Sequence, residues 1–452
     1  MTHLLVIGGG IAGLAAAWEA KSRGATVTLV EGSQRLGGKI ATEAFAGVDL
    51  DTGPDSFLAR VPAATTLAEE VGLGADLVPP ATGRAWMWAR GRLRRIPTGT
   101  VLGVPSHPLA LLRSDVIPRP AAARAALDAV MPGEALGDED ISVGELVRRR
   151  MGRGLQLGLV DPLVGGINAG HSDELSAAVV APQLLAAARR DASLMRGLRA
   201  APVAAGDGPV FLTVRGGMQR LVDAVASALG PCVGVGDPVV GLAADQGWAA
   251  RLASGRVVAA DAVVVAVPPA AAVALLSAIS PAAASGLGGI RSSSVVLTTL
   301  AYGYVPLDGS GFLVPRSEQR LMTACTWMAT KWPHLATPGQ VILRASAGRV
   351  DDSRAMGMDD DEIVRALHDE ISEATSIRTR PLDAKVHRWV DAFPQYEVGH
   401  LGRIAAIESH LPPGIALCGA ALRGVGLATC IAGGREAAAR LLVRAAAPRA
   451  VD

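Results

Sequence analysis

The chain has 452 residues, of which 50% are hydrophobic and 19% are charged, and its formal net charge is +1. This length and composition predict a folded protein of two or three domains with a large buried core. A charge close to zero, without a basic stripe that carries interleaved aromatic residues, excludes a typical nucleic-acid-binding protein.

The spacing of the cysteines and the first residues of the chain indicate where in the cell the protein is located. The four cysteines are widely separated and lack CxxC spacing, which predicts a reduced, cytoplasmic protein without a metal site. The chain begins with a strand-like segment and a glycine loop, so we expect no signal peptide. Residues 262–279 are uncharged and long enough to span a membrane. However, Pro268 and Pro269 divide them, and we expect a strand followed by a separate helix.

The first thirty-one residues predict a βαβ unit that binds a dinucleotide. An apolar strand at 3–7 enters Gly8-Gly9-Gly10-Ile11-Ala12-Gly13, a helix covers 14–23, and a second strand at 25–30 ends on Glu31. In this motif Gly8 permits a tight turn, Gly10 lets a pyrophosphate approach, and Gly13 allows close helix packing. The helix N-terminus offers N–H groups to phosphates. Glu31 is placed to accept from ribose hydroxyls and would repel the 2′-phosphate of NADP.

Two further loops are candidates for the same site. Gly37 and Gly38, which precede Lys39, would let the backbone pass close under a ligand, although an ordinary turn would have the same sequence. Gly53-Pro54-Asp55-Ser56-Phe57 predicts a loop rich in turn formers at the end of a short strand.

The middle of the chain predicts an insertion. Trp86 and Trp88 alternate as in a strand, and arginines at 90, 92, 94 and 95 predict a solvated hairpin edge, with an electropositive lip as the alternative. Residues 106–200 predict helices, interrupted at 162–170 (PLVGGINAG) by a glycine-rich turn. Residues 201–209 predict a linker rich in Pro, Gly and Ala.

The second half predicts both sheet and helix. We expect a helix at 219–229, then strands at 233–242 and 255–267. Runs at 294–301, 311–315, 321–327 and 341–347 predict an antiparallel sheet, and a helix at 359–374 begins with acidic residues, as its dipole favours. A strand at 415–419, a loop at 420–428 and a helix at 429–445 close the chain.

Together these elements predict an α/β fold. A Rossmann-type FAD-binding domain would be assembled from the discontinuous segments 1–81, 205–284 and 386–452. The remaining segments would form a helical insertion at 82–204 and a substrate-binding antiparallel sheet domain at 285–385. The C-terminal helix would direct its N-terminus at the isoalloxazine end of a flavin.

Several motifs carry a resemblance to a known family. They are RLGGK at 35–39, GPDSF at 53–57, GGINAG at 165–170, CTW at 325–327, KWPH at 331–334, PQYEVGH at 394–400 and RGVG at 423–426. With the N-terminal βαβ unit and residues 419–434, they resemble the flavin-containing amine oxidase superfamily. Within it the chain is similar, from end to end, to the bacterial protoporphyrinogen/coproporphyrinogen III oxidases.

The resemblance implies an FAD-dependent enzyme of haem biosynthesis that oxidises coproporphyrinogen III to coproporphyrin III. Hydride would pass from methylene bridges of the macrocycle to flavin N5, and O₂ would reoxidise the flavin with release of H₂O₂. The implied cofactor-binding residues are Gly8, Gly9, Gly10, Ile11, Ala12, Gly13, Glu31, Gly37, Gly38, Lys39, Gly53, Pro54, Asp55, Ser56, Val239, Trp389, Val425, Gly426 and Leu427.

The same resemblance implies substrate contacts. Phe312 would stack on a pyrrole ring, and Ile167, Asn168 and Ala169 would line the pocket wall, with Asn168 where many relatives carry tyrosine. Arg60 either pairs with a substrate propionate or starts a surface helix. We assign no catalytic base, because the electron-rich pyrroles stabilise the cation left by hydride loss and the cofactor performs the difficult step.

Three other functions are considered. Protoporphyrinogen IX, with two propionates, is the alternative substrate. Amine oxidation is disfavoured because Val425 stands where a second aromatic would be expected and no aromatic residue follows Tyr396. A non-catalytic FAD-binding protein is the third. No amphipathic anchor is evident, so we expect at most peripheral membrane contact.

Overall fold

Helices and strands alternate through most of the chain in the computed structural model, which describes residues 2–131, 133–134, 136–201 and 208–446. Most of the predicted linker at 201–209 lies outside these residues. The longer helices are Ile11–Ser22, Pro62–Glu70, Arg119–Ala126, Val143–Met151, Asp161–Asn168, Pro182–Arg190, Leu194–Arg199, Gln219–Leu229, Pro269–Leu276, Pro281–Gly288, Asp360–Ala374, His400–Ser409 and Leu427–Ala446. Short helices cover Pro108–Leu112, Arg153–Leu155, Ala177–Val180, Met328–Lys331 and Ala420–Arg423.

A five-stranded parallel sheet forms the centre of the predicted nucleotide-binding part. Its order is Val233–Gly234, Thr26–Val30, His3–Ile7, Ala262–Val265 and Ile415–Leu417. The strands are apolar because helices cover both faces of such a sheet. The predicted βαβ unit is confirmed, and the sheet draws its strands from the start, middle and end of the chain.

The first and last long helices pack closely against each other. A Cβ atom on Gly434 would overlap the backbone carbonyl of Ala12. Most of the Ile11–Ser22 helix is buried, with alanines on the sides that face its neighbours. Small side chains therefore set the helix spacing and fix the C-terminal helix over the N-terminal βαβ unit.

A seven-stranded, mostly antiparallel sheet forms the second layer. Its order is Asp383–Pro394, Ser292–Gly303, Gln340–Ala347, Met322–Trp327, Gly311–Leu313, Trp86–Ala89 and Arg92–Arg95. The four predicted strands between 294 and 347 are confirmed. The domain boundaries drawn at 82 and 386 cut through this sheet, because three of its strands lie wholly or mainly outside 285–385.

The helical insertion packs around its own apolar cluster. The predicted turn at 162–170 is wrong: residues 161–168 are helical, and only Ala169, with φ 48°, turns the chain in the left-handed region. A π-helical stretch, Gln156–Val160, leads into this helix. A Cβ on Gly165 would lie 2.8 Å from the Gly170 carbonyl oxygen, so glycine is required there, whereas Gly166 is exposed and a Cβ on it would make an ordinary contact, 3.5 Å from Leu313.

Two predicted strands are each divided. Residues 233–242 form Val233–Gly234 and Val239–Ala244 in different sheets, separated by Pro238, which has no N–H for a ladder. Residues 255–267 divide at Asp261, whose carboxylate accepts from the His3 N–H at 2.7 Å. Helix Pro269–Leu276 is separate from strand Ala262–Val265, as predicted, and no helix in the described part of the chain is long and apolar enough to cross a bilayer.

The close helix contact predicts opposite effects for two adjacent glycines. We expect Gly434→Ala to lower the free energy of unfolding by about 1–3 kcal/mol, because the methyl group must displace the Ala12 carbonyl. Gly433→Ala meets nothing within 4 Å and should raise it by up to about 1 kcal/mol through helix propensity. Urea unfolding followed by circular dichroism measures both. Equal effects of the two substitutions would contradict this account of the helix contact.

Candidate active site

In the first glycine loop, residues 8–13, the backbone has space for a ligand beside it. Gly8 has φ 110°, and a Cβ there would lie 2.7 Å from the Ala266 carbonyl oxygen, whereas a Cβ on Gly10 would meet nothing within 4 Å. Helix Ile11–Ser22 starts without a side-chain cap. Its first N–H groups and the space beside Gly10 together suit a pyrophosphate.

Glu31 lies beside this loop, at the end of its strand. Its carboxylate accepts from the Gly9 N–H at 2.7 Å and the Ser33 N–H at 2.8 Å. The N–H of Asp237 reaches the Glu31 carbonyl, and Val239 follows two residues later in a half-buried position. The predicted ribose acceptor and the predicted adenine contact are therefore neighbours.

The second glycine loop runs alongside the first. The Gly37 N–H donates to the Gly9 carbonyl at 2.9 Å, and a Cβ on Gly38 would lie 3.4 Å from the Gly10 Cα. The Arg35 guanidinium donates to carbonyls within its own loop, those of Gly38 at 2.6 Å and Ile40 at 2.7 Å. Arg35 thus stabilises the conformation of its own loop. Gly38 is exposed, so its backbone is accessible to a ligand.

Lys39, Gly53 and Trp389 converge beyond this loop. A Cβ on Gly53 would overlap the Lys39 carbonyl, and the Trp389 indole N–H donates to the Thr52 carbonyl at 2.7 Å. The Lys39 ammonium donates to the Ala392 carbonyl, and burial lowers the pKa of Lys39. Residues from both ends of the chain therefore meet where the flavin ring was predicted.

The Asp55 side chain is bound by protein groups. It accepts from Lys331 Nζ at 3.0 Å and Trp332 Nε1 at 3.1 Å, and Arg344 Nη2 lies 3.2 Å away. Burial alone would raise the pKa of Asp55, but the charges of Lys331 and Arg344 outweigh it and hold the pKa far below its usual value. Asp55 therefore fixes the loop, and its carboxylate is not available to a cofactor.

Arg344 was missed from the sequence. Its guanidinium also donates to the Asp51 carbonyl at 2.8 Å and the Gly53 carbonyl at 3.1 Å. The sequence did contain a signal for it, because Arg344 is the single charged residue of strand Gln340–Ala347. A charge within an apolar strand needs a partner when the strand is buried.

The C-terminal loop closes the far side. Val425 is half-buried and Gly426 is exposed, immediately before helix Leu427–Ala446. Cys430, in the first turns of that helix, interacts electrostatically with Lys39, and burial raises the pKa of its thiol to about 11. Gly10, Gly38 and Gly426 thus belong to three loops that lie close together: the first two touch each other, and the third lies near Lys39. This arrangement fits an extended dinucleotide flavin.

Strand register shows which side chains face this region. Leu313, Ala324, Ser346 and Leu297 are successive cross-strand partners on one face of the seven-stranded sheet. We call this face, which also carries Arg344 and Trp389, the open face. Leu313, Ala324, Ser346 and Leu297 are all half-buried although they belong to inner strands, so other parts of the chain cover them incompletely.

Phe312 lies on the opposite face, so the predicted ring-stacking position conflicts with the structure. It is 3% exposed, packs with Trp327 at a ring separation of 6.4 Å, and belongs to the core under helix Asp360–Ala374. Successive residues of a strand point to opposite faces, so the neighbouring Leu313 is the one on the open face.

The predicted pocket wall is only partly available. Ile167 is 51% exposed, whereas Asn168 is 5% exposed and its amide donates to the Val164 carbonyl at 2.9 Å. Ala169 is buried, and its carbonyl accepts from the Val350 N–H. Asn168 and Ala169 therefore end the helix rather than present side chains. Arg60 is exposed beside Gln183, whose amide oxygen can accept from it at 2.9 Å.

Three further arginines have carboxylate partners. Arg423 forms two hydrogen bonds with Glu408, at 2.8 and 2.9 Å. Arg92 and Arg94 both pair with Asp115, and Arg94 is buried, so the hairpin is confirmed but its edge is not wholly solvated. These three arginines are therefore paired within the protein.

Comparison with known proteins agrees with this geometry. The model of the flavin containing amine oxidoreductases matches residues 11–442. The chain belongs to this family. Membership confirms the α/β fold class and supports FAD, the predicted cofactor.

Relatives of stated activity match over nearly their whole length. Coproporphyrinogen III oxidase of Bacillus subtilis is 34% identical over 96% of this chain and 97% of its own. The enzyme of the same name from Propionibacterium freudenreichii is 35% identical over 96% and 90%. A crystal structure from Exiguobacterium sp. 255-15, provisionally named a protoporphyrinogen oxidase, has a TM-score of 0.89 and 30% identity and covers 98% of this chain and 99% of its own.

Removing the Asp55 charge should destabilise the loop strongly. Asp55→Asn leaves the half-buried Lys331 and Arg344 without their buried counter-charge, and we expect a loss of about 3–5 kcal/mol in the free energy of unfolding. Glu43→Gln is the control, because its pair with Lys385 is about 40% exposed on both sides and should contribute less than about 1 kcal/mol. Urea unfolding of the two variants tests this. Similar losses would contradict the assigned role of Asp55.

Asp51 should make stability depend on pH. Burial raises its pKa to about 6, above the unfolded value, so its contribution is favourable at low pH and is lost as pH rises through 6. Asp51→Asn changes the free energy of unfolding by some amount at each pH. We expect this change to be about 1 kcal/mol more favourable to the folded state at pH 7.5 than at pH 5. Unfolding free energies of both proteins at the two pH values measure this. Equal effects of the substitution at the two pH values would show that Asp51 is already ionised at pH 5 in the folded state.

Proposed function

We propose that the protein is an FAD-dependent oxidase of coproporphyrinogen III that forms coproporphyrin III. The observation that carries the proposal is the open face, where Leu297, Ala324 and Ser346 form a half-buried wall of small and aliphatic side chains. Such a wall suits a broad apolar macrocycle. The relatives that match from end to end carry the same activity in their names.

In the proposed reaction a bound flavin would accept a hydride from a methylene bridge of the macrocycle. The residues that would hold it are the backbone of Gly10, Gly38 and Gly426, with Glu31 at the ribose and Lys39 and Trp389 near the ring. Their contribution is to bind, orient and exclude water. The open face would support the macrocycle opposite, and the pyrrole N–H groups would release protons to solvent.

The same site argues against amine oxidation. That chemistry needs a small cage that holds one amine in front of the flavin, and aromatic side chains usually supply it. The centre of the open face carries an alanine, a serine and a leucine, and Val425 stands in the closing loop. A wall of this composition does not form an aromatic cage for a single amine, and its small and aliphatic side chains suit a flat macrocycle.

Coproporphyrinogen III is favoured over protoporphyrinogen IX by the two relatives named for it. Protoporphyrinogen IX remains the second candidate, because the similar structure from Exiguobacterium bears that name. We also propose O₂ as the electron acceptor and a cytoplasmic location, the latter because all four cysteines are free.

Turnover of the two porphyrinogens tests the proposal. We expect the purified yellow protein, under air, to oxidise coproporphyrinogen III at least tenfold faster than protoporphyrinogen IX at equal concentration. Porphyrin fluorescence follows product, and a peroxide assay follows the acceptor. A preference for the dicarboxylate would move the assignment to protoporphyrinogen oxidase, and a flavin that neither substrate reduces would refute porphyrinogen oxidation.

A further inference from the structure

A pair of hydroxyl groups lies at the centre of the open face. Thr323 and Ser346 belong to the adjacent strands Met322–Trp327 and Gln340–Ala347. A β-bulge between Met322 and Ala324 interrupts the alternation of faces and brings the Thr323 hydroxyl oxygen to 2.7 Å from that of Ser346. The Thr323 hydroxyl is also 3.0 Å from the Ser346 carbonyl oxygen. Both residues are half-buried, and Ser346 belongs to the cross-strand row of the open face.

Counting hydrogens shows what the pair can offer a ligand. Each hydroxyl has one hydrogen and two lone pairs. If Thr323 donates to the carbonyl at 3.0 Å, Ser346 must supply the hydrogen of the 2.7 Å contact, and both lone pairs of Ser346 remain free. In the other arrangement Ser346 donates to the Ala324 carbonyl at 3.4 Å and keeps one free lone pair. In either case Ser346 presents an acceptor.

The position of Ser346 is fixed by its neighbours. It lies between Ala324 and Leu297 in the cross-strand row. Two residues before it on the same strand and face, about 7 Å away, Arg344 anchors the Gly53 loop. At the other end of the row, a Cβ on Gly166 would lie 3.5 Å from Leu313, so helix Asp161–Asn168 borders the face there. Ser346 is thus central between the two boundaries.

We propose that Ser346, oriented by Thr323, accepts a hydrogen bond from a pyrrole N–H of the substrate and positions the macrocycle against the open face. This inference rests on the proposed function. A porphyrinogen carries pyrrole N–H donors around its centre, and a donor needs an acceptor when it leaves water. A neutral hydroxyl supplies one without introducing a charge beside the bridge that loses hydride.

Substitution of the hydroxyl tests the inference. We expect Ser346→Ala to lower kcat/KM about tenfold, the order of one hydrogen bond, and by the same factor for coproporphyrinogen III and protoporphyrinogen IX, because both contain the same pyrroles. Ser346→Thr keeps the hydroxyl and should restore most of the activity. Thr323→Val should cause a smaller loss, since it removes only the orienting group.

Thr298→Val is the matched control. Thr298 follows Leu297 on the same strand, but its side chain is fully buried in the core face and its hydroxyl has no partner among the described residues. Its removal should leave kcat/KM unchanged. Anaerobic stopped-flow mixing separates positioning from folding: Ser346→Ala should slow flavin reduction by porphyrinogen, while its flavin spectrum and its reoxidation by O₂ after dithionite reduction match the wild type.

Each outcome is decisive. If the wild type oxidises porphyrinogen and Ser346→Ala is within twofold of it, the inference is overturned and the proposed function stands. If Ser346→Thr fails to restore activity, or Thr298→Val loses as much, the effect is structural and the inference is also overturned. If no porphyrinogen reduces the wild-type flavin, the proposed function fails and the inference with it.

Discussion

The ion cluster of Asp55, Lys331 and Arg344 is the constraint on which the site depends. It joins a loop of the nucleotide-binding part to the short helix Met328–Lys331 and to strand Gln340–Ala347 of the seven-stranded sheet. Asp55 is buried, and its two partners are half-buried. A buried carboxylate is tolerated only with partners, so the three side chains must meet in one arrangement. That arrangement holds the Gly53 loop against the open face through the hydrogen bond from Arg344 to the Gly53 carbonyl.

The cofactor loops, in contrast, are defined mainly by backbone. Gly8, Gly37 and Gly38 have positive φ, and Gly53 and Gly434 lie where any side chain would overlap a carbonyl. Close backbone contact between loops from distant parts of the chain leaves N–H groups exposed at their junction. The charged cluster positions this junction, and the glycines allow a ligand to reach it.

Sequence was sufficient for elements whose signal is local. The βαβ unit, the capped helix Asp360–Ala374 and the four sheet strands follow from periodicity, capping residues and turn formers. The wrong predictions concern residues whose conformation is determined by tertiary contacts. Gly165 and Gly166 were predicted to form a turn but belong to a helix, and Asp261 ends a strand by pairing with His3. Phe312 was chosen from a motif, whereas strand register, which depends on partners, places Leu313 on the open face. Arg344 could be suspected from its isolation but not connected to Asp55.

The side chains of the open face agree with our assigning no catalytic base. Proton abstraction would need a titratable group at the centre of the open face, but Ala324, Ser346 and Leu297 are not ionisable at neutral pH. Two charges beside the cofactor loops are already bound, Arg344 by Asp55 and backbone carbonyls and Lys39 by the Ala392 carbonyl. His387, the cross-strand partner of Leu297, lies 3.5 Å from Glu43. A macrocycle that stabilises its own cation requires orientation more than acid–base catalysis. The structure supplies orientation through neutral acceptors and apolar surface, and it places its charges where they hold loops in position.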